Sequence, residues 1–303
     1  MSRSTATTRT ARTTDGLVLV DKPAGVSSHD VVNAARRALG EKRIGHGGTL
    51  DPFATGLLVL LVGRATRLLP HMPGDPKVYE AVVRFGSETD TEDLLGTVTV
   101  EAPLPTRTAM LAALSTMCGT LQQVPPAYSA KRVDGRRAYD RARAGETVEL
   151  APVTVRVDRW DVLDLTLADD GEHVTEARVR ITCGGGTYVR SLARDLARAC
   201  GSAAHLTALR RVRSGPFAVE DAVTIAMLRD GEVTARPALD ALPGFPRQSL
   251  EEDDVARIVR GIDVPAAVDG AWGALTHAAT GVLVALAERR DDRWQPRVVM
   301  REA

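Results

Sequence analysis

Six consecutive apolar residues, Leu57 to Val62, follow closely on a glycine-rich loop, Gly45 to Asp51, and this junction constrains the fold more than any other feature. The run is strand-sized and falls far short of the roughly 20 apolar residues that span a membrane. A loop tied to such a strand can hold side chains at fixed positions. Gly47 and Gly48 let the backbone pass close to a partner or take positive φ. Pro52 disfavours helical geometry at Asp51, which places that carboxylate on a sharp extended turn. An Asp before Pro ordinarily caps local amides, so Asp51 alone defines no chemistry. The segment lacks the Lys and Ser/Thr of a phosphate-binding GxxxxGK[ST] loop.

Around this junction the pattern alternates between strand and helix without a βαβ rhythm, so the chain is expected to be α+β, with a mixed, mainly antiparallel sheet and flanking helices. Gly16 to Val20 reads as a short strand closed by the turn-forming Asp21 to Gly25. Ser27 and Asp30 form a capping-box pattern, Val31, Ala35 and Leu39 a helical stripe, and Gly40 a C-cap. Arg64 to His71 reads as a short helix, Val78 to Phe85 as a strand, Gly86 to Gly96 as a polar loop and Ala109 to Met117 as a helix. Val153 to Leu165 and Glu176 to Cys183 are strand-like, and Tyr188 to Cys200 is helical, with Leu192, Leu196 and Ala199 on one side. Pro243, Gly244 and Pro246 mark a domain boundary. Beyond it, Ser249 and Glu252 predict a second capping box and a helix to Gly261, followed by short strands.

The expected organisation is therefore a Ser/Thr/Arg-rich disordered tail over residues 1–14, a main domain over 15–245 and a small β-rich module over 247–303. Three cysteines without CxxC spacing and six scattered histidines argue against a disulfide framework and a metal centre, and make a reducing cytoplasm the default. Formal net charge is zero, but the charges are segregated. Eight arginines and one acid lie between Arg178 and Arg213. A second basic cluster runs from Lys131 and Arg132 to Arg143, inside the long irregular stretch 124–150. Such segregation fits a basic groove on a neutral protein; solvated helix faces are the alternative for any single cluster.

Two further segments carry chemical potential. Gly184-Gly185-Gly186 leads into a helix start, where backbone amides can form an anion-binding nest. Arg190 falls in the first turn of that helix, where a cation opposes the helix dipole; a buried carboxylate partner would justify its placement, and a plain strand-to-helix turn with an exposed Arg is the alternative. Tyr79 lies on a predicted strand, suited either to the core or to stacking on a base.

Six segments in order, GLVLVDKPAGV from Gly16, IGHGGTLDPFATG from Ile44, Tyr79 with GSETDT from Gly86, PPAYSAKR from Pro125, GGTYVR from Gly185 and HLTALRR from His205, resemble the TruB family of bacterial tRNA pseudouridine-55 synthases. The resemblance implies the pseudouridine synthase fold with a PUA-like RNA-binding module over 247–303. It implies isomerisation of uridine 55 in the T-loop of tRNA, without cofactor or metal, by a cytoplasmic monomer that needs no obligate protein partner and no membrane. It further implies roles for particular residues. Asp51 matches the catalytic aspartate, Arg190 the arginine that pairs with it and Tyr79 the aromatic that stacks on the target uracil. His46 matches a histidine near the flipped base, and Leu209 lines the uracil pocket. Tyr188, Lys22 and Pro23 support the active-site floor. Lys131 and Arg132 belong to a thumb loop, about 124–150, that grips the RNA stem-loop.

The chemistry fits these residue types. Pseudouridylation breaks the bond from ribose C1′ to uracil N1, turns the base and rejoins it through C5, so an ionised carboxylate beside the glycosidic bond is the central requirement. Desolvation raises an Asp pKa and an Arg partner lowers it again. Whether Asp51 attacks the base or the sugar stays open, and Tyr79 and Asp51 are both candidates for the base at C5. An RNA-binding module without turnover is the competing class, disfavoured by the presence of Asp51, Arg190 and Tyr79 together.

Overall fold

The computed structural model describes residues 15–129 and 150–300, and the strand backbone at 132–133 and 136–137. The expected tail over 1–14, most of the expected thumb and Lys131 lie outside the described residues; of Arg132 only the backbone is described.

The first half of the chain forms β1 (Gly16–Lys22), α1 (Ser28–Leu39), β2 (Ile44–His46), β3 (Thr55–Val62), a 3₁₀ segment (Gly63–His71), β4 (Lys77–Phe85), the hairpin β5 (Ser87–Thr89) and β6 (Val98–Glu101), α2 (Arg107–Leu114) and β7 (Gly119–Gln123). The small pair β8 (Arg132–Val133) and β9 (Arg136–Arg137) follows. The chain then continues through β10 (Val153–Leu167), β11 (Val174–Cys183), α3 (Val189–Ala199), β12 (Ala204–Ser214), β13 (Phe217–Ala218), β14 (Val223–Thr224), α4 (Ile225–Arg229) and β15 (Arg236–Pro237). The last segment comprises β16 (Arg247–Leu250), α5 (Glu252–Val259), β17 (Val264–Pro265), β18 (Trp272–His277), β19 (Leu283–Arg290) and β20 (Arg293–Val299).

The main sheet has eleven strands, eight of them in the order β14-β1-β3-β12-β4-β11-β10-β7. Its pairings are antiparallel except at β1–β14 and at β3–β12. The β3–β12 junction is short: Thr55 faces Arg210 and Gly56 faces Arg211. Two strands leaving one such point in the same direction splay apart, and the loop entering β3 sits there.

Helix α1 carries the capping box between Ser27 and Asp30 and ends on Gly40 at φ 67°. Its apolar stripe covers one face of β1 and β3 through Val31, Val32 and Ala35. Helix α3 covers β4, β11 and β12 through Leu192, Leu196 and Ala197.

The second sheet runs β16-β18-β19-β20-β17. Its expected capping box is not formed. Ser249 lies in β16, paired in a parallel ladder with Thr276, and α5 starts after Glu251 with no side-chain cap. The ladder hydrogen bonds have claimed the residue that sequence pattern assigned to the helix. The Pro243–Pro246 stretch separates the two sheets in sequence, yet one apolar cluster joins them: Ala274, Leu283, Leu286 and Val298 pack with Leu57, Leu61, Leu68 and Phe217. Arg64 and Arg67 add donors to the carbonyls of Met300 and Val299, at 2.9 and 3.0 Å. No helix among the described residues is long and apolar enough to cross a membrane.

Candidate active site

The loop between β2 and β3 is anchored before any side chain acts. Gly47 donates its amide to Val59, and the Ser28 hydroxyl both accepts from the Leu50 amide at 2.8 Å and donates to the Leu50 carbonyl at 3.0 Å. Leu50, Phe53 and Ala54 are buried in the main core. Asp51 lies between these anchors with its carboxylate facing out of the core.

Arg190, in the first turn of α3, meets that carboxylate side-on. Its Nε stands 2.9 Å from Asp51 Oδ2, and its Nη2 donates to Oδ1 at 3.1 Å. The Asp51 side chain is 32% exposed and the Arg190 side chain 4%. The cation is thus immobilised behind a carboxylate that still faces solvent. Two carbonyls also accept from the guanidinium, those of Thr91 at 2.7 Å and Tyr128 at 2.9 Å, and the Asp93 carboxylate forms a longer ion pair with it at 3.9 Å. This set is the partner that a cation at a helix N-terminus requires. Burial raises the Asp51 pKa; Arg190 opposes the rise, Asp93 adds to it and Lys22 opposes it.

Lys22, at the end of β1, is fully buried and donates to the carbonyls of Pro23, Val26 and Pro52 at 3.0, 2.8 and 3.3 Å. Burial lowers its pKa to about 8. Pro23 is exposed beside it. Tyr79, on β4, is buried next to Leu50 and Leu209 in the same core, with Arg211 across the strand pair. Burial pushes its phenol up, and Arg211 works against that. Leu209 is buried on β12 opposite Ala81. His46 lies at the end of β2 with Nδ1 buried and unpartnered; burial and the nearby Arg211 charge hold its imidazole low. Tyr188 precedes α3. Its amide donates to Gln123 Oε1 at 2.9 Å and its carbonyl accepts from Gln123 Nε2 at 3.0 Å, which fixes where the helix begins.

The N-terminal-domain model of the TruB family pseudouridylate synthases matches residues 36–189, and the C-terminal-domain model of tRNA pseudouridylate synthase B matches residues 190–242. The chain belongs to the TruB family. Among curated TruB relatives, it is 46% identical over 291 residues to the tRNA pseudouridine synthase B of Thermobifida fusca (strain YX), which spans 94% of this chain and 98% of the relative. It is 42% identical to the same-named protein of Mycobacteroides abscessus (strain ATCC 19977), over 95% and 97% of the two chains. Its fold is that of the protein in the archaeal box H/ACA sRNP Nop10–Cbf5 complex, with a TM-score of 0.68 at 23% identity, over 96% and 88% of the two chains.

Sequence reasoning on this TruB chain missed several residues at the site. Arg211, almost fully buried, donates to the carbonyls of Leu57 at 2.8 Å and Gly48 at 3.0 Å, and so ties β12 to the loop that carries Asp51. The signal was present in the His205 to Arg211 segment, but its two adjacent arginines alternate in direction: Arg210 points the other way and pairs with Asp21 at 2.7 Å. Thr91, Glu92 and Asp93 were read as part of a polar loop; Thr91 and Asp93 face the Arg190 guanidinium, and Glu92 between them bonds to Ser191 and Arg194.

Two electrostatic readings are corrected. The glycine turn before α3 does not stand open to an external anion, because the chain's own Asp75 carboxylate lies beside Gly185 and accepts from Lys77 Nζ at 2.8 Å. The arginines between 178 and 213 do not line a groove as a set. Arg190 and Arg194, on α3, pair inward with Asp51 and Glu92, while Arg198, exposed one turn further on, pairs with the buried Glu88. Arg180 pairs with Glu80 and Arg210 with Asp21. The acidic partners come from distant parts of the chain, so their cancelling charge is invisible in a local count.

Proposed function

We infer that this chain isomerises uridine to pseudouridine in tRNA, at position 55 of the T-loop, with Asp51 as the catalytic carboxylate. The observation that carries this reading is the Asp51–Arg190 pair. It presents an outward-facing carboxylate on a buried, multiply held cation, which is the arrangement that glycosidic rearrangement needs. The names and near-complete coverage of the curated relatives support the substrate class.

The target uridine leaves the RNA stack, at a cost of roughly a few kcal/mol, and enters between Tyr79 and Leu209. Asp51, ionised and positioned by Arg190, acts on the glycosidic bond; the base turns and rejoins through C5. Tyr79 stands nearest to a role in removing the C5 proton. His46 borders the space vacated in the RNA, while Lys22, Pro23 and Tyr188 support the floor. Lys131 and Arg132 grip the RNA stem, and the β16–β20 unit is a PUA-like RNA-binding module. The enzyme works as a cytoplasmic monomer on the T stem-loop.

Tritium release from C5-labelled uridine in a T-arm hairpin tests the reading. The native chain is expected to release label, and Asp51→Asn to bind the hairpin and release none. Release by both variants removes Asp51 from the mechanism. Binding without release by the native chain marks it as an RNA binder.

A further inference from the structure

Arg190 donates to the backbone carbonyls of Thr91 and Tyr128 and lies 3.9 Å from the Asp93 carboxylate, so the turn from Thr91 to Asp93 helps to set its position. Glu92, in the middle of that turn, adopts φ 60°, a left-handed conformation that residues other than Gly, Asn and Asp rarely take. Something outside the turn must hold it there. The structure identifies what does. The buried Glu92 carboxylate accepts from the Ser191 hydroxyl at 2.9 Å and from the Arg194 guanidinium. Ser191 and Arg194 follow Arg190 on the same helix. Arg194 also donates to the Val124 carbonyl at 2.9 Å, next to Gln123, which fixes Tyr188 at the helix start. A closed circuit results. Helix α3 holds Glu92, Glu92 holds the turn, and the turn presents Thr91 and Asp93 back to Arg190.

We propose that Glu92 and Arg194 are positioning residues of the isomerase, fixing where Arg190 holds the Asp51 carboxylate. Neither touches the carboxylate, and neither is assigned a role by the reaction described above. The inference rests on the proposed function for its kinetic consequence and on geometry alone for its structural one.

The groups facing Asp51 are Arg190 from α3, Asp93 from the turn, Lys22 from the end of β1 and Tyr79 from β4. Of these, only Arg190 and Asp93 are placed by the Glu92 turn. Loosening the turn withdraws both the guanidinium, which opposes the effect of burial, and Asp93, which adds to it; Arg190 touches Asp51 directly and is the larger influence, so the Asp51 carboxyl then titrates at higher pH.

The test compares the native chain with Glu92→Gln, which keeps an acceptor but removes the charge, and Glu92→Gly, which keeps the left-handed turn without strain but removes the side chain. Ser191→Ala is the mildest member of the set. The pH midpoint of Asp51 is read by carboxyl-carbon NMR of ¹³C-Asp-labelled protein, with the signal assigned by its loss in Asp51→Asn. Single-turnover tritium release at saturating hairpin is read alongside. The expected result is a midpoint moved to higher pH in Glu92→Gln and Glu92→Gly, and a rate about 10- to 100-fold lower with hairpin affinity unchanged. A role in stability alone would lower the melting temperature without moving the midpoint. Unchanged midpoints in Glu92→Gly and Ser191→Ala, both folded, overturn the proposal. The NMR arm stands without turnover, so a native chain that releases no label sinks the functional reading and leaves this test decisive for the circuit.

Discussion

Lys22 and Pro52 are joined across the floor of the site: the buried ammonium donates to the Pro52 carbonyl at 3.3 Å, immediately after Asp51 in sequence. The bond ties the end of β1 to the catalytic loop with a charge that burial disfavours.

That charge predicts a pH dependence. Burial lowers the Lys22 pKa to about 8, while the unfolded value is 10.5. Between these values the unfolded chain binds more protons, so stability from this group rises with pH. Relative to Lys22→Met, the native chain is expected to gain stability as pH climbs through that window. Urea midpoints of both proteins measured from pH 7.5 to 10.5 check it; a constant difference would show that the ammonium is not desolvated.

Asp51 predicts the opposite slope. Its folded pKa is raised chiefly by burial, against an unfolded value of 3.8. Folding retains the proton over that interval, so the native chain should lose stability relative to Asp51→Asn as pH rises from 3.8 toward neutrality. In the proposed reaction the ionised form acts, so single-turnover rates are expected to fall as pH drops through the same raised pKa. Rates independent of pH down to 4 would contradict it.

Tyr79 separates ring from hydroxyl. Its ring is buried in the main core, with Arg211 opposite it in the strand pairing. Tyr79→Ala should cost about 3–5 kcal/mol and lose both uracil binding and release. Tyr79→Phe should cost only about 1–2 kcal/mol and keep hairpin affinity while losing tritium release. Full release by the Phe variant would leave stacking as the residue's whole contribution.

Gly56 marks the closest approach in the sheet. Its φ is 99°, and a Cβ there would lie 2.2 Å from the Arg211 carbonyl oxygen. Gly56→Ala is expected to destabilise by about 2–4 kcal/mol. It should lower activity further, because β3 and β12 carry Asp51's loop and Leu209 respectively. Thermal unfolding with activity at a permissive temperature separates the two effects.

Truncation after residue 246 should do more than weaken RNA binding. The exposed cluster would include Leu57, Leu61, Leu68 and Phe217, so the melting temperature is expected to fall and light scattering to rise. An unchanged melting temperature would show that the two sheets are stable apart.

Much of this was legible locally. The capping box at Ser27, the strand after the glycine loop and the helix after Tyr188 follow from side chains interacting within a few residues, which a single sequence displays. Arg190's pairing with Asp51 was legible only through the resemblance, since a cation at a helix start can equally be an exposed side chain. The Arg194–Glu92 pair, the Asp75–Gly185 contact and the inward turn of Arg211 were not. Each joins residues many tens of positions apart or depends on which face a strand presents. Ser249 failed for a related reason, since a parallel ladder with Thr276 outcompeted a local cap.

The span between Asp51 and Arg190 bears on synthesis. They are 139 residues apart, and β1 needs partners from beyond residue 222 on its outer edge. A nascent chain emerging from the ribosome therefore exposes the aspartate long before its arginine exists, and the reactive pair forms only once most of the catalytic sheet has been translated. Premature termination between Asp51 and Arg190 yields fragments that carry the acid without the arginine that holds it.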